Sequence, residues 1–189
     1  MQKHKPEQAS LFDTDQPFSN FRGFDNNNKT YHHHSNLNKD YTFDNFIVGN
    51  SNRLAHGAAF YVAENPGKTY NPLFLYGNSG LGKTHLMHAI GNYIEEHSNK
   101  KVLYVTTDEF SDDYKHIKTN NIEYSDYFKN KYRSIDVLIV DDIQFLANAT
   151  QSQQEFFNTF NELQQNGKHI IISSDKSPND LNLIEDRLI

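Results

Sequence analysis

Apolar and polar positions follow two regimes along this chain. Over residues 1–39 no period of 2 or 3.6 is sustained. From Tyr41 onward, short apolar runs alternate with stretches in which apolar residues return every three or four positions. "LFLY" (73–76), "KVLYV" (101–105), "DVLIV" (136–140) and "HIIIS" (169–173) predict four strands, the third almost continuous in apolar content, as a strand covered on both faces should be. Between the first two, Leu86, Ala89, Ile90 and Ile94 fall at helical spacing from Lys83 to about His97. Thr106 with Glu109, and Ser152 with Glu155, have the spacing of capping boxes and predict two further helix starts. Phe156, Phe160 and Leu163 line one face of the second of these helices, and Gly167 stands where a C-terminal cap belongs. Strands alternating with helices predict an α/β fold with a mainly parallel sheet. In such sheets ligands bind beyond the carboxyl ends of the strands.

Composition separates an arm from a body. Residues 1–39 are rich in Asn, Gln, Ser and His and read as a linker or disordered arm, leaving 40–189 as one domain. Within the arm His32-His33-His34 reads as part of a solvated run, because adjacent residues cannot all face one ion and no carboxylate pair stands nearby. The chain has no cysteine, which excludes a disulfide framework and thiolate zinc sites. No apolar run approaches the roughly 20 residues of a membrane span, and the N-terminus does not read as a secretion signal, so a cytoplasmic setting is expected. The formal charge of −6 sits in the body: residues 1–40 carry five basic and five acidic side chains, residues 41–189 carry 13 and 19. An acidic body is a poor nonspecific binder of duplex DNA, whose affinity comes from neutralising phosphates.

One stretch carries definite chemistry. Gly77-x-x-x-x-Gly82-Lys83-Thr84, with Gly80 inside the loop, follows a predicted strand and opens a predicted helix, the context a phosphate-binding P-loop requires. Glycines let backbone N–H groups curl around phosphate oxygens, and the helix N-terminus adds its positive end. In such a loop Lys83 can reach the β and γ phosphates, and the Thr84 hydroxyl can ligate Mg²⁺. Asp141 and Asp142 follow the strand "VLIV" as the matching acidic pair, Asp141 to hold Mg²⁺ through its water shell and Asp142 to orient or activate the attacking water. Ser173, Ser174 and Asp175 end the fourth strand, where a polar group can sense the γ-phosphate; Asp175 is the candidate sensor.

These pieces occur together with "YTFDNFIVGNSNRLAHGAAFYVAENPGKTYNPLFLYG", "DDIQF", "EFFNTFNEL" and "LIEDRLI". From about Tyr41 to the last residue the chain resembles the bacterial DnaA family of replication initiators. The resemblance implies a P-loop AAA+ core with strand order 5-1-4-3-2 and an adenine site built partly by "FDNFIVGNSN". It implies ATP and Mg²⁺ as cofactors, slow ATPase activity, ATP-favoured self-assembly at a replication origin and promotion of duplex opening. Arg187 matches the arginine of the family's "EDRL" motif at the subunit boundary. The family's arginine finger, fifth strand, lid with its sensor arginine and duplex-reading helix-turn-helix belong beyond Ile189. The helicase-contact domain belongs ahead of this chain. A chain without the finger is expected to turn over ATP barely, since such arginines supply roughly 10³ to 10⁵ in rate. Without the fifth strand, 73–76 is expected to be an open apolar edge.

Three regions keep alternatives open. The stretch 107–133 interleaves aromatics with Lys115, Lys118, Lys129, Lys131 and Arg133, which suits stacking and holding a single strand. Its acids, including Asp112, Asp113 and Asp126, suit an amphipathic helical pair equally. After "FLAN", where many initiators carry basic residues that touch single-stranded DNA, this chain has Ala149-Thr150-Gln151. His85 and His88, at i and i+3, lack a third metal ligand and read as helix-surface or packing residues. Within the ATPase class a helicase loader or an initiator-derived regulator is the rival reading; outside it, a nucleotide-dependent interaction module that does not hydrolyse.

Overall fold

Four apolar runs, the last three rich in β-branched residues, pair in parallel to form the central sheet: β1 (Leu73–Tyr76), β2 (Val102–Thr106), β3 (Val137–Asp141) and β4 (His169–Ser174), in the spatial order 1-4-3-2. The computed structural model describes residues 24–25, 30–31, 33–119 and 121–181. Among the described residues five α-helices accompany the strands: α1 (Arg53–Glu64), α2 (Lys83–His97), α3 (Thr107–Thr119), α4 (Asn121–Arg133) and α5 (Thr150–Gln165). In the arm, Phe24–Asp25 pairs antiparallel with Thr30–Tyr31.

The period-2 alternation of the strands splits the core into two layers. Val137 and Ile139, with Leu73, Leu75 and Ile171, face α1 and α2, where Ala59, Val62, Met87, Ile90 and Ile94 are buried. Leu138 and Val140, with Leu103, Val105, Ile170 and Ile172, face the opposite layer, which is filled by Phe110, Phe128, Tyr132, Phe156 and Phe160. All five residues of β3 are buried, which accounts for its unbroken apolar run.

The predicted helix boundaries hold in part. Thr106 Oγ1 accepts the Glu109 backbone N–H at 3.2 Å, as a cap should. The Glu109 carboxylate does not close a box; it takes bonds from Asn36 and Lys131 instead. The Ser152 cap is corrected: α5 starts at Thr150, just after a 3-10 helix over Ile143–Asn148, and Ser152 is buried within its first turn. At the other end, Gly167 lies at φ 66°, Gly167 N–H bonds Gln164 O at 3.0 Å and Lys168 N–H bonds Leu163 O at 2.9 Å, the two bonds of a Schellman cap.

The two edges of the described sheet differ. Along β2, Tyr104 N–H donates to Ser35 O at 2.8 Å and Asn36 Nδ2 donates to Tyr104 O at 3.2 Å, so the chain ahead of the domain covers that edge. Leu37 then packs so closely over Gly91 of α2 that a Cβ there would stand 2.5 Å from its side chain. Contact with the body therefore begins before the compositional change near Lys39. Among the described residues nothing pairs with the outer edge of β1. No described helix is long and apolar enough to cross a membrane.

Candidate functional site: the glycine loop and the acids of β3

The turn from β1 into α2 is a left-handed one. Gly77, Gly80 and Gly82 lie at φ 147°, 82° and 89°. At Gly82 glycine is required twice over, because a Cβ would also stand 2.7 Å from the Phe46 ring. The Lys83 ammonium reaches back across the loop and donates to Gly77 O at 2.6 Å and Asn78 O at 3.1 Å.

Facing the loop, β3 ends in a buried carboxylate. Asp141 Oδ2 accepts the Thr84 hydroxyl and the Tyr104 hydroxyl, both at 2.8 Å, and Oδ1 accepts the Ser173 hydroxyl. Three donors from three elements meet the hydrogen-bonding demand of a carboxylate that is only 3% exposed. Burial and the neighbouring Asp141 charge push the Tyr104 pKa well up, so its hydroxyl stays a donor at any ordinary pH.

Asp142 is the first residue past the strand and sits at φ 59°, ψ 52°, a conformation that costs a non-glycine residue roughly 1–2 kcal/mol. Its surroundings impose it. The Asp142 N–H donates to Ser173 Oγ at 2.9 Å, while the carbonyls of Asp141 and Asp142 both accept Thr107 Oγ1 at 3.0 Å. The carboxylate consequently faces the cavity, where Oδ1 accepts Gln144 Nε2 at 3.1 Å. Gln144 Oε1 in turn accepts the Asp175 N–H at 3.3 Å, tying the end of β4 to the end of β3. The cavity is about 460 Å³, and Lys83, Thr84, Asp142, Gln144, Asp175 and Tyr41 are among its walls.

Residues 38–46 form one side of this site by docking on α2. Asn92 Nδ2 donates to Asn38 O at 2.8 Å and Tyr41 O at 2.9 Å, and His85 Nε2 bonds Thr42 O at 2.8 Å. Tyr41 stacks on His85 with ring centroids 4.8 Å apart, and Phe46 meets the same imidazole edge-on at 5.1 Å. His88 Nδ1 accepts the Asn38 N–H at 3.2 Å, and burial holds the pKa of this histidine below its ordinary value. Both histidines are thus packing residues, and among the described residues no group of three or more His, Cys, Asp or Glu is arranged to hold a metal.

Gly77, Gly80, Gly82, Lys83, Thr84, Asp141, Asp142 and Asp175 are brought together at one end of the sheet. Arg187 lies outside the described residues. Sequence reasoning gave no role to Tyr104, Gln144 or Tyr41, and saw Ser173 only as a strand-ending polar residue. Their one sequence signal is adjacency to marked positions, as with Gln144 in "DDIQF".

The cations of 107–133 are placed differently. Lys131, 3% exposed, bonds Asp113 at 2.7 Å and Glu109 at 2.9 Å. Arg133 bonds Glu155 at 2.9 Å and Glu162 at 2.6 Å, and Lys115 pairs with Asp112 at 2.8 Å. Lys129 is exposed. The stretch Ala149-Thr150-Gln151 forms the cap and first turn of α5.

A parallel sheet in the order 1-4-3-2, with a glycine loop between β1 and α2 and an acidic pair at the end of β3, defines a P-loop nucleotide-binding fold of the AAA+ class. Within that class, the chain belongs to the bacterial DnaA ATPase domain family, whose model matches residues 37–189. It is 52% identical over 155 residues to the chromosomal replication initiator protein DnaA of Caldanaerobacter subterraneus subsp. tengcongensis, a match covering 82% of this chain and 34% of that protein. It is similar to domain III of the Thermotoga maritima replication initiation protein DnaA, with 46% identity, a TM-score of 0.75, and coverage of 82% of this chain and 64% of that one. A replication initiator DnaA bound to AMPPCP and single-stranded DNA matches with 42% identity and a TM-score of 0.75, over 82% of this chain and 47% of that one. The chain therefore spans about a third of the curated relative's length.

Proposed function

We propose that this chain is the nucleotide-binding part of a replication initiator that uses ATP as an assembly switch. The observation that carries the reading is the 2.8 Å bond from Thr84 Oγ1 to Asp141 Oδ2, which joins the P-loop to the acid of β3 beside the cavity that Thr84 lines. By giving its proton to Asp141, the Thr84 oxygen keeps lone pairs for a hard cation, and a hydroxyl beside a carboxylate is the oxygen donor set that Mg²⁺ takes. The glycine loop and the Lys83 ammonium suit phosphate oxygens. ATP with Mg²⁺ supplies a transferable phosphoryl group and the charge that neutralises it. Asp142, held toward the cavity by Gln144 and its left-handed backbone, is suited to orient a water, and Asp175 beside it is suited to register the terminal phosphate. Tyr41, stacked on His85, and Phe46, edge-on to the same imidazole, supply an aromatic wall for the base.

Membership of the DnaA ATPase domain family over residues 37–189 favours the initiator over a helicase loader or an initiator-derived regulator. The cavity-facing Asp142 favours hydrolysis over a purely structural use of ATP. Self-assembly through the boundary that includes Arg187, origin DNA, the replicative helicase and a cytoplasmic setting belong to the same proposal for the whole protein. In 107–133 the inward ion pairs of Lys131 and Arg133 favour the packed helical pair over a single-strand surface. Titration of the full chain with ATP and ADP tests the site: Lys83→Ala is expected to weaken binding at least tenfold, because a point charge on the phosphates is lost. Equal affinity in variant and parent rejects the site.

A further inference from the structure

Resting on the nucleotide-site reading above, we propose that Tyr104 is a positioning residue: its hydroxyl fixes the Asp141 carboxylate against Thr84, and the affinity for Mg²⁺ depends on it. Asp141 is held at both oxygens. Ser173 of β4 occupies Oδ1, while Tyr104 of β2 and Thr84 of α2 share Oδ2 at 2.8 Å each. Of these, Thr84 is asked to serve the metal as well, and Ser173 also serves the Asp142 N–H at 2.9 Å. Tyr104 gives its one printed hydroxyl bond to Oδ2, the oxygen that Thr84 also bonds, and so restrains the rotation of the carboxylate on the side that faces Thr84.

Tyr104 is itself placed with care. Its ring lies 4.0 Å from that of His88, centroid to centroid, and its peptide groups are bonded by Ser35 and Asn36 on the edge of the sheet. His88 is anchored through Asn38, and Asn36 also donates to Glu109 at 3.2 Å. The segment 35–38 and the metal-holding acid are thus one residue apart: a contact made outside the nucleotide cavity fixes the side chain that aims Asp141. Partners behind a metal site that orient its ligands typically cost 10–100-fold in metal affinity when removed.

Tyr104→Phe keeps the ring and the backbone pairing and removes only the hydroxyl. The full chain carrying it is compared with the parent using a fluorescent ADP, so that turnover does not intrude, first in EDTA and then across a Mg²⁺ titration. The expected result is an ADP affinity in EDTA within about twofold of the parent, with the Mg²⁺ midpoint raised about tenfold. A midpoint equal to the parent's overturns the inference. So does an equal loss with and without Mg²⁺, which marks Tyr104 as packing alone. A parent that binds no ADP in either condition refutes the underlying site reading, and this inference with it.

Discussion

At the carboxyl ends of β1, β3 and β4, charged groups turn toward a cavity: Lys83 bridges the loop mouth, and Asp142 and Asp175 are linked through Gln144 along its wall. Behind the sheet, on α3 and α4, charged groups turn toward one another. Lys131 is enclosed by Asp113 and Glu109, and Tyr132 Oη donates to the same Asp113 at 2.7 Å. Phe110, Phe128 and Phe156 complete that region with edge-to-face contacts at 5.4–5.5 Å. Burial works against the Lys131 ammonium, but Asp113 and Glu109 outweigh it and hold its pKa above the ordinary value. The comparison teaches that a count of cations says little about a binding surface. Availability depends on which carboxylates the packing brings within reach, and here it leaves the P-loop lysine facing a cavity while closing off Lys131 and Arg133.

The sharpest way to break this comparison is to remove the inward cation. Lys131→Ala leaves Asp113 buried without its ion-pair partner, and breaking a buried pair costs about 3–5 kcal/mol. Urea denaturation is expected to show that loss, while Lys129→Ala, on the exposed face of α4, changes stability by less than about 0.5 kcal/mol. Similar small effects for both would mean that Lys131 is free to act elsewhere.

A second test uses pH. Burial, with a smaller push from Lys100, lowers the pKa of His169 from 6.5 to about 4, and its Nδ1 accepts the Gly67 N–H at 2.9 Å. Its folded pKa lies below its unfolded one, so its contribution is fully present above about pH 6.5 and is lost as pH falls toward 4, where the unfolded chain takes the proton first. The full swing is about 3 kcal/mol. Urea melts between pH 7.5 and 4.5 should show a decline that His169→Asn flattens; an unchanged slope would place the acid sensitivity in other groups.

Where chemistry lies contiguous in the chain, the sequence was readable. The P-loop glycines, Lys83 and Thr84 form one segment, and α2 begins at Lys83 as expected. Strand boundaries agree to within a residue because β-branched runs buried on both faces leave little choice of register. What stayed illegible depends on pairing between distant segments. Parallel register sets Thr106 beside Asp141 and so brings Tyr104, two residues back on the same face, to the carboxylate. The docking of Ser35 and Asn36 on β2 was hidden because a segment of low periodicity can still satisfy a sheet edge with two backbone-directed bonds. The inward turn of Lys131 was equally hidden, since its partners lie on the neighbouring helix.

Hydrogen exchange of the full chain with and without ATP and Mg²⁺ tests the contrast between the two regions most directly. Bound ATP and Mg²⁺ are expected to slow exchange at residues 77–84 and 141–144, with a smaller effect at 102–107 through Tyr104 and no change across 121–133. Protection of 121–133 equal to that of the glycine loop, or none at the loop, would contradict that contrast.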